Sequence, residues 1–255
     1  MSLRILLLKK KNRKNQIAAR TQGILDNTPT PFSDHLEELR RRVLLSAAAV
    51  FIASAAAFLY HRTLISIIKH PIGSDLVFIA PQEAFVVSLK AALLAGVVIS
   101  SPVTIYHIWR FVGVALNRRE KGFVLGYAPV ALVLFLSGVV FAFFIVLPAG
   151  LRFLLSFGGP FLTPMITVDR YVSFILLIVI VFGAVFQLPL LMRTAAASGI
   201  TDKNKLASGR KYAIVSIFTG SALLTPPDVF TQIALALPVI LLYEIGLIIT
   251  PRRRT

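Results

Sequence analysis

Six stretches of this chain are apolar for long enough to enter a lipid bilayer. No other feature limits the possible folds so strongly. A helix crossing about 30 Å of hydrocarbon needs about 20 mostly apolar residues. Such stretches run over about 43–60, 85–108, 123–147 and 171–192, then a short one at about 212–224 and a last at about 229–249. Of the 255 residues, 56% are hydrophobic and 15% charged. A soluble domain averages about 45–50% apolar and about 25% charged residues, so a compact soluble core is excluded. The expected fold class is an all-α membrane protein with six transmembrane helices.

Prolines 102, 129, 189 and 238 predict kinked helices, and Pro148 marks the end of the third span. Thirteen apolar residues in the fifth span reach only about 20 Å at 1.5 Å each. The sixth is interrupted by Pro238 and stays apolar only to Leu242. The fifth and sixth spans are therefore expected to be short, with a thinner bilayer beside them.

The charge orients the spans. With the N-terminus placed inside, 22 of the 27 Lys and Arg fall in 1–42, 109–122, 193–211 and 250–255. The opposite side holds Arg62, Lys69, Arg152 and Arg170. Cytoplasmic loops collect Lys and Arg, so both termini are expected in the cytoplasm. The net charge of +16 then reads as a topology signal rather than a nucleic-acid footprint. Cysteine is absent, and the four histidines have no metal-ligand spacing. Neither a phosphate loop nor a dinucleotide fingerprint is present. Metal, cofactor and catalytic turnover are not expected.

Three segments follow: a basic tail over 1–32, a membrane domain over 33–250 and a basic tail over 251–255. Ile5–Leu8 is too short for a signal-peptide core. The first tail suits contact with anionic headgroups; a removable transit peptide or ribosomal RNA contact are the other readings. Thr28-Pro29-Thr30-Pro31 breaks the chain, and Ser33 or Asp34 is placed to cap a helix starting near His35. That helix carries Glu37, Glu38 and Arg40–Arg42 straight into the first span.

Charged groups within spans are the first functional suspects. Lys90 is expected to snorkel to the nearer surface, and Glu244 to find a partner near the inner end of the sixth span. Gln187, followed by Pro189, reads as an amide inside the fourth span that needs a partner. It is either packing glue or a docking point for a second membrane helix. Glu38 and Glu120 stand among bases on the inner face. They are solvated charges or acceptors for a cationic ligand, because a carboxylate takes bidentate bonds from guanidinium. Asp228 is placed to cap the sixth helix in its proline-fixed turn. Pro71 and 79–85 give the first outer loop a rigid, partly apolar character.

The order of motifs resembles the TatC family, multi-span core subunits of the twin-arginine protein translocase. The pieces are His35-Leu-Glu-Glu-Leu-Arg40, then Ser101-Pro102 with Tyr106-His-Ile-Trp-Arg-Phe111 and Leu116-Asn-Arg-Arg-Glu120, then Leu223-Leu-Thr-Pro-Pro-Asp-Val-Phe-Thr-Gln232, Pro238 and Tyr243-Glu-Ile-Gly246. The family often has Pro-Gly or Pro-Ala where Gly113-Val-Ala115 stands here. The resemblance implies a receptor for signal peptides bearing two consecutive arginines, in a system that moves folded proteins across an energised membrane. It implies Glu38 and Glu120 as the carboxylates meeting the guanidiniums, with Arg40 and Phe111 beside them. Gln187 would contact single-span TatA- or TatB-type subunits or the inserted signal peptide. Asp228 and Pro71 would shape loops that matter for assembly, and several copies would associate. The membrane would be a bacterial cytoplasmic membrane or that of a thylakoid or other organelle. The alternative is a small-molecule secondary transporter, which would need polar groups at mid-membrane on several helices.

Removing residues 1–31 is expected to leave the first span's orientation unchanged, because Arg40–Arg42 still hold it. Single cysteines introduced into this cysteine-free chain and labelled from either side check this; an inverted first span refutes it.

Overall fold

The computed structural model describes residues 32–72, 76–114, 121–158, 164–224 and 229–251. Among them the protein is built from helices. These are α1 (Phe32–Phe58), α2 (His61–Lys69), α3 (Glu83–Val114), α4 (Lys121–Phe141), α5 (Leu147–Ser156), α6 (Val168–Val185), α7 (Leu188–Ala197), α8 (Lys203–Ser208), α9 (Arg210–Leu224) and α10 (Val229–Ile249). The chain divides into two compact units after Arg41. The first contributes only the opening turns of α1 to the described residues. The second holds everything else.

Among the described residues, five helices are long and apolar enough to cross a membrane: Leu36–Phe58, Glu83–Val112, Gly126–Ser156, Val168–Ala197 and Thr231–Ile249. The sixth apolar stretch forms α9. Its 15 residues reach about 22 Å against about 30 Å of hydrocarbon, the shortness expected of the fifth span. The sixth span differs from the expectation in degree. Helix α10 covers the expected stretch, Val229–Ile249, and its 21 residues reach about 31 Å. It is shorter than the third and fourth spans but crosses unaided.

Pro102, Pro129 and Pro238 sit inside helices that continue past them. Pro148 does not end the third span. It occupies the first turn of α5, where a missing amide hydrogen is tolerated. The turn before it widens instead. Ala142–Val146 is π-helical, and the Leu147 amide donates to the carbonyl of Ala142, five residues back. The span thus continues to Ser156. Helix α1 opens at Phe32, so Ser33 and Asp34 stand in its first turn rather than before it.

The core forms around α6. Tyr171, Val172, Ile175, Ile178, Val179, Phe182 and Gly183 are its buried residues, a spacing that lines up one helical face. That face packs against α3 and α4. Within lipid the helices gain little from hydrophobic exclusion, so close packing has to hold them together. Two glycines make room for it. A Cβ on Gly96 of α3 would lie 2.7 Å from the backbone nitrogen and 2.8 Å from the Cα of Ser54 on α1. A Cβ on Gly138 of α4 would lie 2.6 Å from the Phe182 carbonyl oxygen on α6.

The described part of the first loop is pinned rather than free. Val77 and Thr167 form a parallel bridge, in which the Val77 amide donates to Ile166 at 3.1 Å and the Val168 amide to Val77 at 2.9 Å. The Tyr171 hydroxyl donates to the Ile68 carbonyl at 3.0 Å, tying α2 to α6. Pro71 stands half-buried in the turn that follows α2.

Gly96→Ala is expected to destabilise the protein by about 1–3 kcal/mol, the usual cost of overpacking. Gly126→Ala, with no atom within 4 Å of its added Cβ, should change nothing. Thermal unfolding in detergent of both variants checks the pair.

Candidate functional site

Gln187 does not lie within an unbroken fourth span. Helix α6 ends at Val185 and α7 begins at Leu188, with Pro189 in its first turn. Pro189 has no amide hydrogen to continue the ladder. Phe186 and Gln187 close the junction as a turn, the Gln187 amide donating to Ala184 at 3.0 Å. The interruption sets the Gln187 side chain across the gap to α4. Its Nε2 donates to the Ala131 carbonyl at 2.9 Å. Its Oε1 is buried with no protein partner.

Gln187 lines a cavity of about 300 Å³ together with Val50 of α1, Ser101, Thr104 and Trp109 of α3, and Phe135 of α4. Thr104 Oγ1 is also buried and without a protein partner. Ser101 is satisfied within its own helix, donating to the Val98 carbonyl at 2.7 Å. Four buried side-chain polar atoms lack a partner among the described residues, the other two being Ser54 Oγ and His107 Nδ1. Leaving such a group unmet costs about 1–3 kcal/mol. The cavity thus combines apolar walls with two unmet polar atoms at membrane depth. It suits a ligand that is mainly apolar and carries a hydrogen-bond donor.

Sequence reasoning missed Thr104. The signal was the spacing Ser101, Thr104, His107, three polar residues on one face of an otherwise apolar helix.

The same helix ends in an aromatic and basic cluster. Arg110 Nη1 donates to the Tyr106 hydroxyl at 2.8 Å, with the guanidinium carbon 5.8 Å from that ring's centroid. Trp109 is buried and meets Tyr127 edge-on, and the Arg193 guanidinium lies 5.9 Å from the Tyr127 centroid. Phe111 is half-buried in the last turn of α3. On α1, Glu38 is half-buried and Arg40 exposed. Glu120 and Asp228 lie outside the described residues.

The charges within the spans have local partners. Lys90 does not snorkel alone. Its Nζ donates to Asp169 Oδ1 at 2.6 Å and to Ser173 Oγ at 2.8 Å, joining α3 to α6. The sequence hides this because the partners are 79 and 83 positions away. Glu244 accepts from Arg210 Nη2 at 2.8 Å, and the Tyr243 hydroxyl donates to the Leu206 carbonyl at 2.7 Å. These bonds fasten the end of α10 to α8 and α9. Pairing of this kind gives the spans a structural use for their charges, not a path for a small solute. No group of three metal-ligating residues forms among the described residues.

Gln187→Leu removes the bond to Ala131 and the orphan oxygen together. Its effect on stability is expected to stay within about 0.6–1.7 kcal/mol, the range for single polar contacts between membrane helices. A larger loss on thermal unfolding in detergent would make Gln187 a main fastening of the fold rather than a presented group.

The chain matches the family model described as "Sec-independent protein translocase protein (TatC)" over residues 34–238. The TatC protein of Carboxydothermus hydrogenoformans is 39% identical over 229 residues, covering 88% of this chain and 94% of that one. That of Aquifex aeolicus is 39% identical over 224 residues, covering 85% and 93%. A TatC-like protein of Gracilaria tenuistipitata var. liui is 33% identical over 225 residues, covering 88% and 94%. A crystal structure of the twin-arginine translocase receptor TatC superposes with a TM-score of 0.76 at 38% identity, covering 84% of this chain and 96% of that one. A second, in the detergent DDM, gives 0.78 at 38% identity, covering 85% and 99%. The motifs, the helical membrane fold and these matches agree: this chain is a multi-pass membrane protein and belongs to the TatC family.

Proposed function

We propose that this chain is the signal-peptide receptor and core subunit of a twin-arginine translocase, with both termini in the cytoplasm and the bacterial cytoplasmic membrane as its home. The observation that carries the reading is the match over nearly the whole length of a solved structure named as that receptor. Glu38 and Glu120 accept the two guanidiniums of the signal. Arg40 and Phe111 serve the same recognition step, and Pro71 and Asp228 shape the opposite loops for assembly.

Physical chemistry supports the roles. Arg presents a planar fork that a carboxylate meets with two bonds, whereas Lys is a point charge. A face carrying 22 basic residues repels an ordinary cation, so two carboxylates within it favour a ligand with the matching geometry. The unmet Oε1 of Gln187 suits a donor on a single-span TatA- or TatB-type helix, or on the inserted signal peptide. The chain carries no nucleotide motif, and the energy for transport comes from the proton gradient across the membrane.

Photo-crosslinkers placed at 38 and 120 test the recognition step against an Arg-Arg signal peptide and a Lys-Lys control. The expected result is strong crosslinking to Arg-Arg that fades with Lys-Lys. Equal crosslinking to both, in a correctly inserted protein, overturns the carboxylate assignment. Glu120→Ala should weaken capture of the Arg-Arg peptide about ten- to a hundredfold, the worth of a charge-assisted hydrogen bond of about 1.5–3 kcal/mol.

A further inference from the structure

Hydroxyls within the spans mostly satisfy themselves. Ser88, Ser100, Ser101, Ser137, Thr194 and Thr219 each donate to a carbonyl three or four positions back, the usual habit inside a membrane helix. Ser101 has a further task. Pro102 lacks the amide hydrogen that the Val98 carbonyl would otherwise receive, and the Ser101 hydroxyl donates to that carbonyl instead. Thr104, one turn on, does neither. Its Oγ1 is buried without a protein partner, and the residue lines the cavity shared with Gln187, whose Oε1 is also unmet.

The two atoms differ in what they ask for. An amide oxygen only accepts, while a hydroxyl both donates and accepts. A group that meets both donates to Gln187 and offers a lone pair to Thr104. A carboxamide or a hydroxyl does this without charge. Lys and Arg only donate and are costly to bring into hydrocarbon.

Depth narrows the source of that group. Thr104 stands eight residues, about 12 Å, from Val112 at the end of its span, and Gln187 ten residues, about 15 Å, from Ala197. Within a hydrocarbon core of about 30 Å, a phospholipid brings only acyl chains to this level, with neither donor nor acceptor. The apolar core of a signal peptide brings none either. A membrane helix with one polar side chain does. The rim admits it at Ile108 of α3 and Leu191 of α7, both about half exposed. A second cavity, of about 390 Å³ beside Phe143 and Phe144 of the π-helical turn, is lined by apolar residues alone. It holds none of the four unmet atoms, so nothing there selects a polar group.

We propose that Thr104 and Gln187 form a recognition pair for a carboxamide or hydroxyl on the membrane helix of a single-span TatA- or TatB-type subunit. This rests on the reading of the chain as a translocase subunit. Gln187 alone admits any donor. Thr104 sets the specificity, favouring a donor that carries an acceptor as well.

The test uses the full chain co-expressed with its cognate single-span subunit, with a photo-crosslinker at Leu191 on the rim. Thr104→Val, nearly the same shape without the hydroxyl, should lower crosslinking to the subunit about three- to twentyfold, the worth of one polar contact between membrane helices. Thr104→Ser should keep it. Thermal unfolding in detergent separates recognition from folding. Thr104 has no side-chain bond to lose, so Thr104→Val should not lower the melting temperature, whereas loss of a threonine that fastens the fold would. Polar residues of the subunit's span, changed to Leu one at a time, should include one that matches the loss in Thr104→Val and adds nothing when combined with it. Unchanged subunit crosslinking in Thr104→Val overturns the proposal, as do Leu191 adducts with lipid or signal peptide in place of the subunit. Crosslinkers at 38 and 120 report capture of the Arg-Arg peptide in the same membranes. Capture that persists while Thr104→Val has no effect removes the recognition pair and leaves the receptor reading standing.

Discussion

One absent hydrogen organises the middle of this protein. Pro189 cannot donate, so the fourth span breaks at Phe186 and Gln187. An unbroken helix would have turned the glutamine according to its position in the ladder. The break instead lets it reach α4 with one end and the cavity with the other. Helix α7, beyond the break, packs against α10. The third span answers the same problem at Pro148 by widening one turn rather than parting. Two prolines, each missing one donor inside lipid, thus give two local geometries. Each lies beside an apolar-walled cavity, and only one cavity contains unmet polar atoms.

The ion pairs have a related logic. A charge in a span is expensive to insert, yet Lys90 and Glu244 are both retained. Each meets its partner within 2.8 Å and joins two helices near a membrane surface. Lys90 ties α3 to the central α6, and Glu244 ties α10 to the short α9. Their side chains keep roughly a third of their surface open, so part of the cost of burial is avoided.

Much of the architecture was legible in the sequence because hydrocarbon thickness fixes helix length. The apolar runs gave the spans, and the 15-residue α9 was visible as a run too short to cross. What could not be read were effects of partners distant along the chain. Lys90 has no nearby acid to announce Asp169. Pro148 looks like a stop until the π-helical turn shows how the ladder continues around it. Nor are Leu206 and Arg210 near enough in sequence to Tyr243 and Glu244 to announce the bonds between them. For the candidate site, Gln187 stood out by its polarity. Thr104 did not, because a threonine in a membrane helix ordinarily bonds its own backbone.

Helix α1 is mounted differently from its neighbours. Within 42–58 only Ala57 is buried, and the tight meeting with Gly96 is at Ser54. Phe58 adds ring contacts with His61 and Phe85. The tightest meeting of α1 with its neighbour is therefore at Ser54, near its last turn. Val50, four residues or about 6 Å back along the helix, forms one wall of the cavity at Gln187. Small angular play at a glycine contact is thereby converted into a change of aperture at the only side of that cavity that α1 supplies.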